Sequence, residues 1–151
     1  MPLAPELVDF VTKHPDAAMI TLRDNGTPHM ARIEICVVDG RLRATGAPNL
    51  VRTRNLRRDP RCSLFVFGPP PFWLGLETEV TITEGEVGQD LIQLLRARHG
   101  TGPAGTVLAH DDELGHDRPY TEAEYVAHAR ANQLLIYDFG VLKAYGNYVP
   151  A

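Results

Sequence analysis

Apolar residues recur along this chain at two spacings, and the switches between them mark its elements. Leu7, Val8, Phe10 and Val11 share one helical face, so Pro5 to His14 reads as a short helix with Pro5 tolerated in its first turn. From Ala17 the period shortens to two. Ala17-Ala-Met-Ile-Thr-Leu-Arg23 reads as a strand, Asp24-Asn25-Gly26 as a turn, and Pro28-His-Met30 as the opening of the next strand. There Ala31, Ile33, Ile35 and Val37 alternate with Arg32, Glu34 and Cys36, which predicts one inward face. A second turn at Asp39-Gly40 leads into a third strand, so three antiparallel strands are expected before the Arg-rich segment that follows.

Arg61 to Phe67 is apolar at both parities and predicts a central strand ended by Gly68-Pro-Pro-Pro-Phe72. In the long strand after it, Leu74, Leu76, Val80 and Ile82 alternate with Gly75, Glu77, Glu79 and Thr81. Leu91, Ile92, Leu94 and Leu95 then return to helical spacing through His99. Thr121-Glu-Ala-Glu124 is a capping box that starts a further helix, and a last strand is expected from about Gln133 to Tyr145. Gly100 to Tyr120, rich in Gly, Asp and His, carries no periodic signal and reads as a polar loop. These elements predict one domain over 1–151, mainly β with helices (α+β): a small closed or split barrel of six antiparallel strands.

Charge changes the picture in one place. The chain has 15 Lys and Arg against 19 Asp and Glu, a net charge of −4. Yet seven of those basic residues fall between Arg41 and Arg61, where Asp59 is the only acid. A local cationic cluster in an acidic chain points to an anion site rather than to polyanion binding, so no nucleic-acid partner is expected. The local order suggests how such a site is built. Asn49 is a good N-cap for a helix from Leu50, whose free amides face outward; Arg52 adds a forked cation and Thr53 a hydroxyl. The competing reading is a solvated Arg-rich face followed by an ordinary Asp59-Pro60 turn.

The same residues carry a family resemblance. Gly40-Arg-Leu-Arg-Ala-Thr45, then Arg52-Thr-Arg-Asn-Leu-Arg-Arg-Asp-Pro-Arg-Cys-Ser-Leu-Phe-Val66, resembles the cofactor-phosphate region of the pyridoxamine 5′-phosphate oxidase-like split-barrel proteins. Arg52 stands where many members have Lys, while Asn55-Leu56 and Asp59-Pro60 match. At the C-terminus Leu134-Leu-Ile136 and Val141-Leu-Lys-Ala-Tyr-Gly146 resemble the closing strand of actinobacterial members that use flavin or deazaflavin. The resemblance implies the FMN-binding split-barrel fold and a homodimer whose cofactor site is shared between subunits. It implies an oxidoreductase that transfers hydride to an unsaturated small molecule. Its cofactor would be coenzyme F420, which is favoured, or FMN, held by Thr45, Asn49, Arg52, Thr53, Arg54, Asn55 and Trp73. The excess charge of Arg54, Arg57, Arg58 and Arg61 suits the anionic oligoglutamate tail of F420. The alternative is a protein that binds a flavin or tetrapyrrole without turnover.

Other candidates are weaker. His110-Asp-Asp-Glu113 with His116 has metal-ligand types but not the tight spacing of a metal site, so no metal is expected. His29 faces either a bound ring or solvent, and Trp73 either a planar cofactor or the dimer core. Cys36 and Cys62 lie in apolar strands without C-x-x-C spacing and read as buried reduced thiols. The chain lacks G-x-S-x-G and P-loop patterns. Nothing singles out an acid–base residue. The start lacks a secretory pattern and no stretch is long enough to cross a membrane, so a cytoplasmic protein without a membrane partner is expected.

Overall fold

The computed structural model describes residues 2–149. Helix α1 (Pro5–Lys13) leads into β1 (Asp16–Leu22), β2 (Pro28–Glu34), β3 (Cys36–Val38) and β4 (Arg41–Gly46). Helix α2 (Val51–Arg58) follows, then β5 (Arg61–Phe67), β6 (Trp73–Thr83), α3 (Gly88–His99), β7 (Val107–Asp111), β8 (His116–Tyr120), α4 (Glu122–Ala131) and β9 (Leu135–Asn147).

Seven strands form one antiparallel sheet in the order β2-β1-β5-β6-β9-β4-β3. Strands β2 and β3 are separated in sequence by Ile35 alone, yet they occupy opposite edges of that sheet. The sheet must therefore curl until its edges meet, and Ile35 is the corner, its amide donating to the Pro15 carbonyl at 2.8 Å. This corrects the six-strand expectation. The run from Pro28 to Val38 has an unbroken alternating pattern, but the chain bends within it, and Ile35 and Cys36 are both buried where strict alternation would bury only Ile35. Four strands rather than three thus precede α2. The Asp39-Gly40 turn is as its residues suggest, with φ of 51° and 73°.

The barrel interior is filled by Leu7, Phe10 and Val11 of α1, Met19, Ile33, Leu42, Leu64, Leu74, Leu76, Tyr137 and Phe139. A second core lies on the other side of β9. There Leu91, Ile92 and Leu95 of α3 pack with Val107, Tyr120, Tyr125 and Ala129 against Ile136. Within this layer the segment expected as a loop is a β7–β8 hairpin, packed on α3 and α4. Its strands are short and charged, and Val107, Ala109 and Tyr120 alone anchor it, which is why no period is visible in the sequence. Half of the capping box forms: Thr121 Oγ1 accepts from the Glu124 amide at 3.1 Å, while the Glu124 carboxylate lies 3.6 Å from Arg118. Strand β5 differs from a fully buried central strand. Cys62, Leu64 and Val66 face inward, while Phe65 and Phe67 stand on the outer face, 36% and 50% exposed. No helix among the described residues is long and apolar enough to cross a membrane.

Candidate functional site at the first turn of α2

Helix α2 closes one end of the barrel between β4 and β5, and its inner face is polar. Asn55 is 5% exposed and donates through Nδ2 to the buried Thr21 hydroxyl on β1 at 3.0 Å, while its Oδ1 accepts from Arg58 at 3.1 Å. Arg58 also reaches the Leu22 carbonyl at 2.9 Å. These bonds dock the helix on β1, because a buried amide without partners is costly and here both ends are satisfied. Asn55 therefore points into the barrel wall rather than toward the helix start.

The helix begins one residue later than its sequence suggests. The cap position falls to Leu50, which makes no side-chain cap bond, and Asn49 is exposed just before it. Asn49 is thus corrected as N-cap: the extended backbone that a cap requires occurs at Leu50, ψ 144°. Among the described residues the Val51 and Arg52 amides have no backbone acceptor, whereas those of Thr53 and Arg54 both reach the Leu50 carbonyl. Two open donors at the positive end of a helix are suited to an anion.

Arg52 lies beside these amides. Its Nε is buried with no partner, and no carboxylate pairs with it among the described residues. Thr53 is fully buried; its hydroxyl donates to the Ala47 carbonyl at 2.6 Å and is bonded to the Tyr137 phenol. The Thr53 hydroxyl thus holds the helix to the barrel instead of facing outward as a free donor. Tyr137 is fully buried on β9, beneath Gly46, where an added Cβ would stand 2.6 Å from the phenolic oxygen. Burial pushes the Tyr137 phenol up, against the opposing pull of the neighbouring Arg52 guanidinium. Nothing in a strand-like run from Leu134 to Phe139 marks Tyr137 from Phe139; only the register that pairs it with Ala44 brings it under α2.

The remaining candidates divide. Arg54 is exposed and, among the described residues, without a carboxylate partner. Arg57 is forked onto Glu84 at 2.7 and 3.1 Å, and Arg61 onto Asp59 at 2.8 Å. With Arg58 bonded to Leu22 and Asn55, the supposed surplus of free charge reduces to Arg52 and Arg54. Thr45 is on the opposite face of β4 from Ala44 and Gly46, paired with Ile136, so it faces the helical layer and not Tyr137. Its Oγ1 is buried without a partner. His29 pairs across from Thr21 on the inward side of β2, its Nδ1 likewise buried and unpartnered.

Trp73 is remote from α2 within one subunit. It pairs with Phe67 at the far end of β5, six residues from Arg61, or about 20 Å at ~3.3 Å per residue. There it stacks on Phe65, ring centroids 5.4 Å apart at 10°, with Tyr145 edge-on at 5.9 Å. Gly75 makes room for this group, since a Cβ would approach the Tyr145 ring to 2.6 Å. Cys36 and Cys62 are free and buried, and burial pushes the Cys62 thiol up to about 12. Among the described residues no three His, Cys, Asp or Glu side chains are grouped to hold a metal ion.

A curled antiparallel sheet of seven strands, closed at one end by a helix with open amides and an unpaired Arg, defines a split-barrel protein. The chain belongs to the pyridoxamine 5′-phosphate oxidase family, whose model matches residues 3–131. Among solved structures it is similar to a conserved hypothetical protein, Rv2991 from Mycobacterium tuberculosis, with a TM-score of 0.70 and 18% identity over 99% of this chain and 90% of that one. An F420 reductase is similar at TM-score 0.64 and 17% identity, over 94% and 98% of the two chains. A pyridoxamine 5′-phosphate oxidase-related, FMN binding protein from Nostoc punctiforme aligns at TM-score 0.62 and 14% identity, over 95% and 84%. At these identities the likeness is one of fold. No curated protein matches the chain.

Proposed function

We propose that this protein is an oxidoreductase that binds a flavin-type cofactor by its phosphate at the first turn of α2 and transfers hydride to an unsaturated small molecule. The observation that carries this reading is the Arg52 guanidinium, engaged by no carboxylate among the described residues, beside the open Val51 and Arg52 amides, in a chain of this family. Arg52 supplies charge and a fork, and the amides supply fixed donors. Arg54, exposed and without a carboxylate partner among the described residues, is available to further negative charge, which favours the deazaflavin coenzyme F420 with its acidic tail over FMN. The F420 reductase among the similar structures supports the same preference. When bound, the cofactor supplies the hydride chemistry. The chain's part is to hold the phosphate, orient the ring and exclude water.

The outer sheet face bears on where the ring sits. Phe65, Phe67, Trp73 and Tyr145 form an exposed apolar patch, and Met30 beside it on β2 is 72% exposed. Such a face suits burial by a second copy. The separation of about 20 Å between α2 and Trp73 gives the dimer a functional reason: a twin subunit lying across this face brings its own aromatic end toward the anion site. A shared site is therefore part of the proposal.

A second reading is binding of the cofactor without turnover. The test of both readings is titration of the protein with F420 and with FMN, followed by oxidation of the reduced cofactor with enones and quinones. Binding with turnover supports the oxidoreductase, binding without it the second reading, and no binding rejects both.

A further inference from the structure

Tyr137 lies outside the anion site but touches the residue that holds it. The hydrogen bonds around Thr53 have only one consistent polarity. A threonine hydroxyl has a single proton, and the 2.6 Å bond to the Ala47 carbonyl, which is acceptor only, takes it. In the bond between Thr53 and Tyr137 the phenol must then be the donor. The chain of bonds runs from Tyr137 through Thr53 to Ala47, and it ties β9 to the first turn of α2 and to the end of β4 together. The phenolic oxygen keeps its lone pairs, and the residue beside it with donors to spare is Arg52.

Each part of this arrangement is fixed from below. Tyr137 is fully buried, Gly46 leaves it space that any side chain would fill, and Thr53 is fully buried. Thr53 and Arg52 are consecutive on the helix. An anchor on Thr53 thus sets the azimuth of α2, and with it the direction of the Val51 and Arg52 amides and of the Arg52 guanidinium.

We propose that Tyr137 is the positioning residue of the anion site, acting through Thr53 to hold the first turn of α2 and the Arg52 guanidinium in the geometry that receives a phosphate. This rests on the proposed phosphate site. The role assigns a task to the phenolic oxygen alone, because the ring also fills the barrel core beside Phe139.

The test separates oxygen from ring and phosphate from flavin. Affinities of FMN and riboflavin, and of F420 and its phosphate-free riboflavin-like core, are measured on wild type, Tyr137→Phe, Arg52→Ala and the double variant. Tyr137→Phe is expected to weaken the phosphorylated ligand about tenfold, the scale of one hydrogen bond, while leaving the phosphate-free ligand unchanged. In the Arg52→Ala background its effect should shrink without vanishing, since the Val51 and Arg52 amides are still aimed by the same anchor. If Tyr137→Phe does not fold, Thr53→Val and Thr53→Ser replace it: the valine variant should lose the phosphate preference and the serine variant keep it. Equal weakening of both ligands, or a phosphate preference undiminished in Tyr137→Phe or Thr53→Val, overturns the positioning role while leaving the phosphate site intact. An unchanged phosphate preference in Arg52→Ala overturns the site itself, and the positioning role with it.

Discussion

Arg52 and Thr53 are neighbours in sequence with different tasks in the structure. The residue types and their order point to an anion at this helix start, where the Val51 and Arg52 amides have no backbone acceptor among the described residues. What the chain order does not reveal is that the Thr53 hydroxyl turns inward, because its partner Tyr137 is 84 residues away and arrives only through sheet register. Arg57, Arg58 and Arg61 look equivalent to Arg52 in sequence, yet Glu84, the Leu22 carbonyl and Asp59 engage them. Arg52→Ala should therefore weaken cofactor binding by about 1.5–3 kcal/mol, the scale of a hydrogen bond to a charged group, with an unchanged urea midpoint. Arg61→Ala should leave affinity as it is; fluorescence titration distinguishes the two.

Cys62 offers a residue-scale test of the barrel core. Its thiol ionises at about 12 in the folded chain and near 9.0 when exposed, because burial disfavours the thiolate. Between those values the unfolded chain holds fewer protons than the folded one, so this contribution is complete below pH 9 and is lost as pH rises toward 12. Tyr125, raised from 10.0 to about 12 by burial, acts in the same direction at slightly higher pH. Urea unfolding across this range should show falling stability, and Cys62→Ala should flatten the decline that begins near pH 9. An identical alkaline slope in that variant would mean the thiol is not buried as described.

At the level of elements, legibility followed periodicity and local chemistry. Helix α1, strands β1, β5 and β6, and the Thr121 cap were readable because each carries its own signal within a few residues. The bend at Ile35 was not, since an alternating run has the same pattern whether or not it turns a corner. The β7–β8 hairpin was hidden for another reason: His110, Asp111, His116, Asp117 and Arg118 leave only three buried apolar anchors, and Arg118 is held by Asp111 at 2.7 Å and over the Tyr120 ring at 3.5 Å. Thr121→Ala removes the cap that starts α4 and should cost about 1 kcal/mol. Denaturant unfolding with an unchanged m-value should report it. A loss near zero would show that packing on α3 alone sets the start of the helix.

For the whole molecule, the distribution of exposed apolar residues is the main feature the sequence concealed. Strand β5 reads as apolar throughout, and only the sheet topology separates Cys62, Leu64 and Val66 inside from Phe65 and Phe67 outside. A patch of aromatic rings on a sheet face is costly to expose and suits a twin subunit. On the proposed shared site, Phe67→Glu should convert a dimer to a monomer in sedimentation velocity and lower cofactor affinity. A monomeric wild type that still binds cofactor would refute the shared site.

The α2 end of this split barrel is proposed to receive the phosphate of a flavin-type cofactor. Equilibrium titration of the purified protein with F420 and with FMN, each alongside its phosphate-free flavin, tests it most directly. Micromolar or tighter binding of a phosphorylated cofactor is expected, with F420 preferred, and a clear loss of affinity when the phosphate is absent or Arg52 is replaced by Ala. Binding of neither cofactor, or equal binding with and without the phosphate, would contradict it.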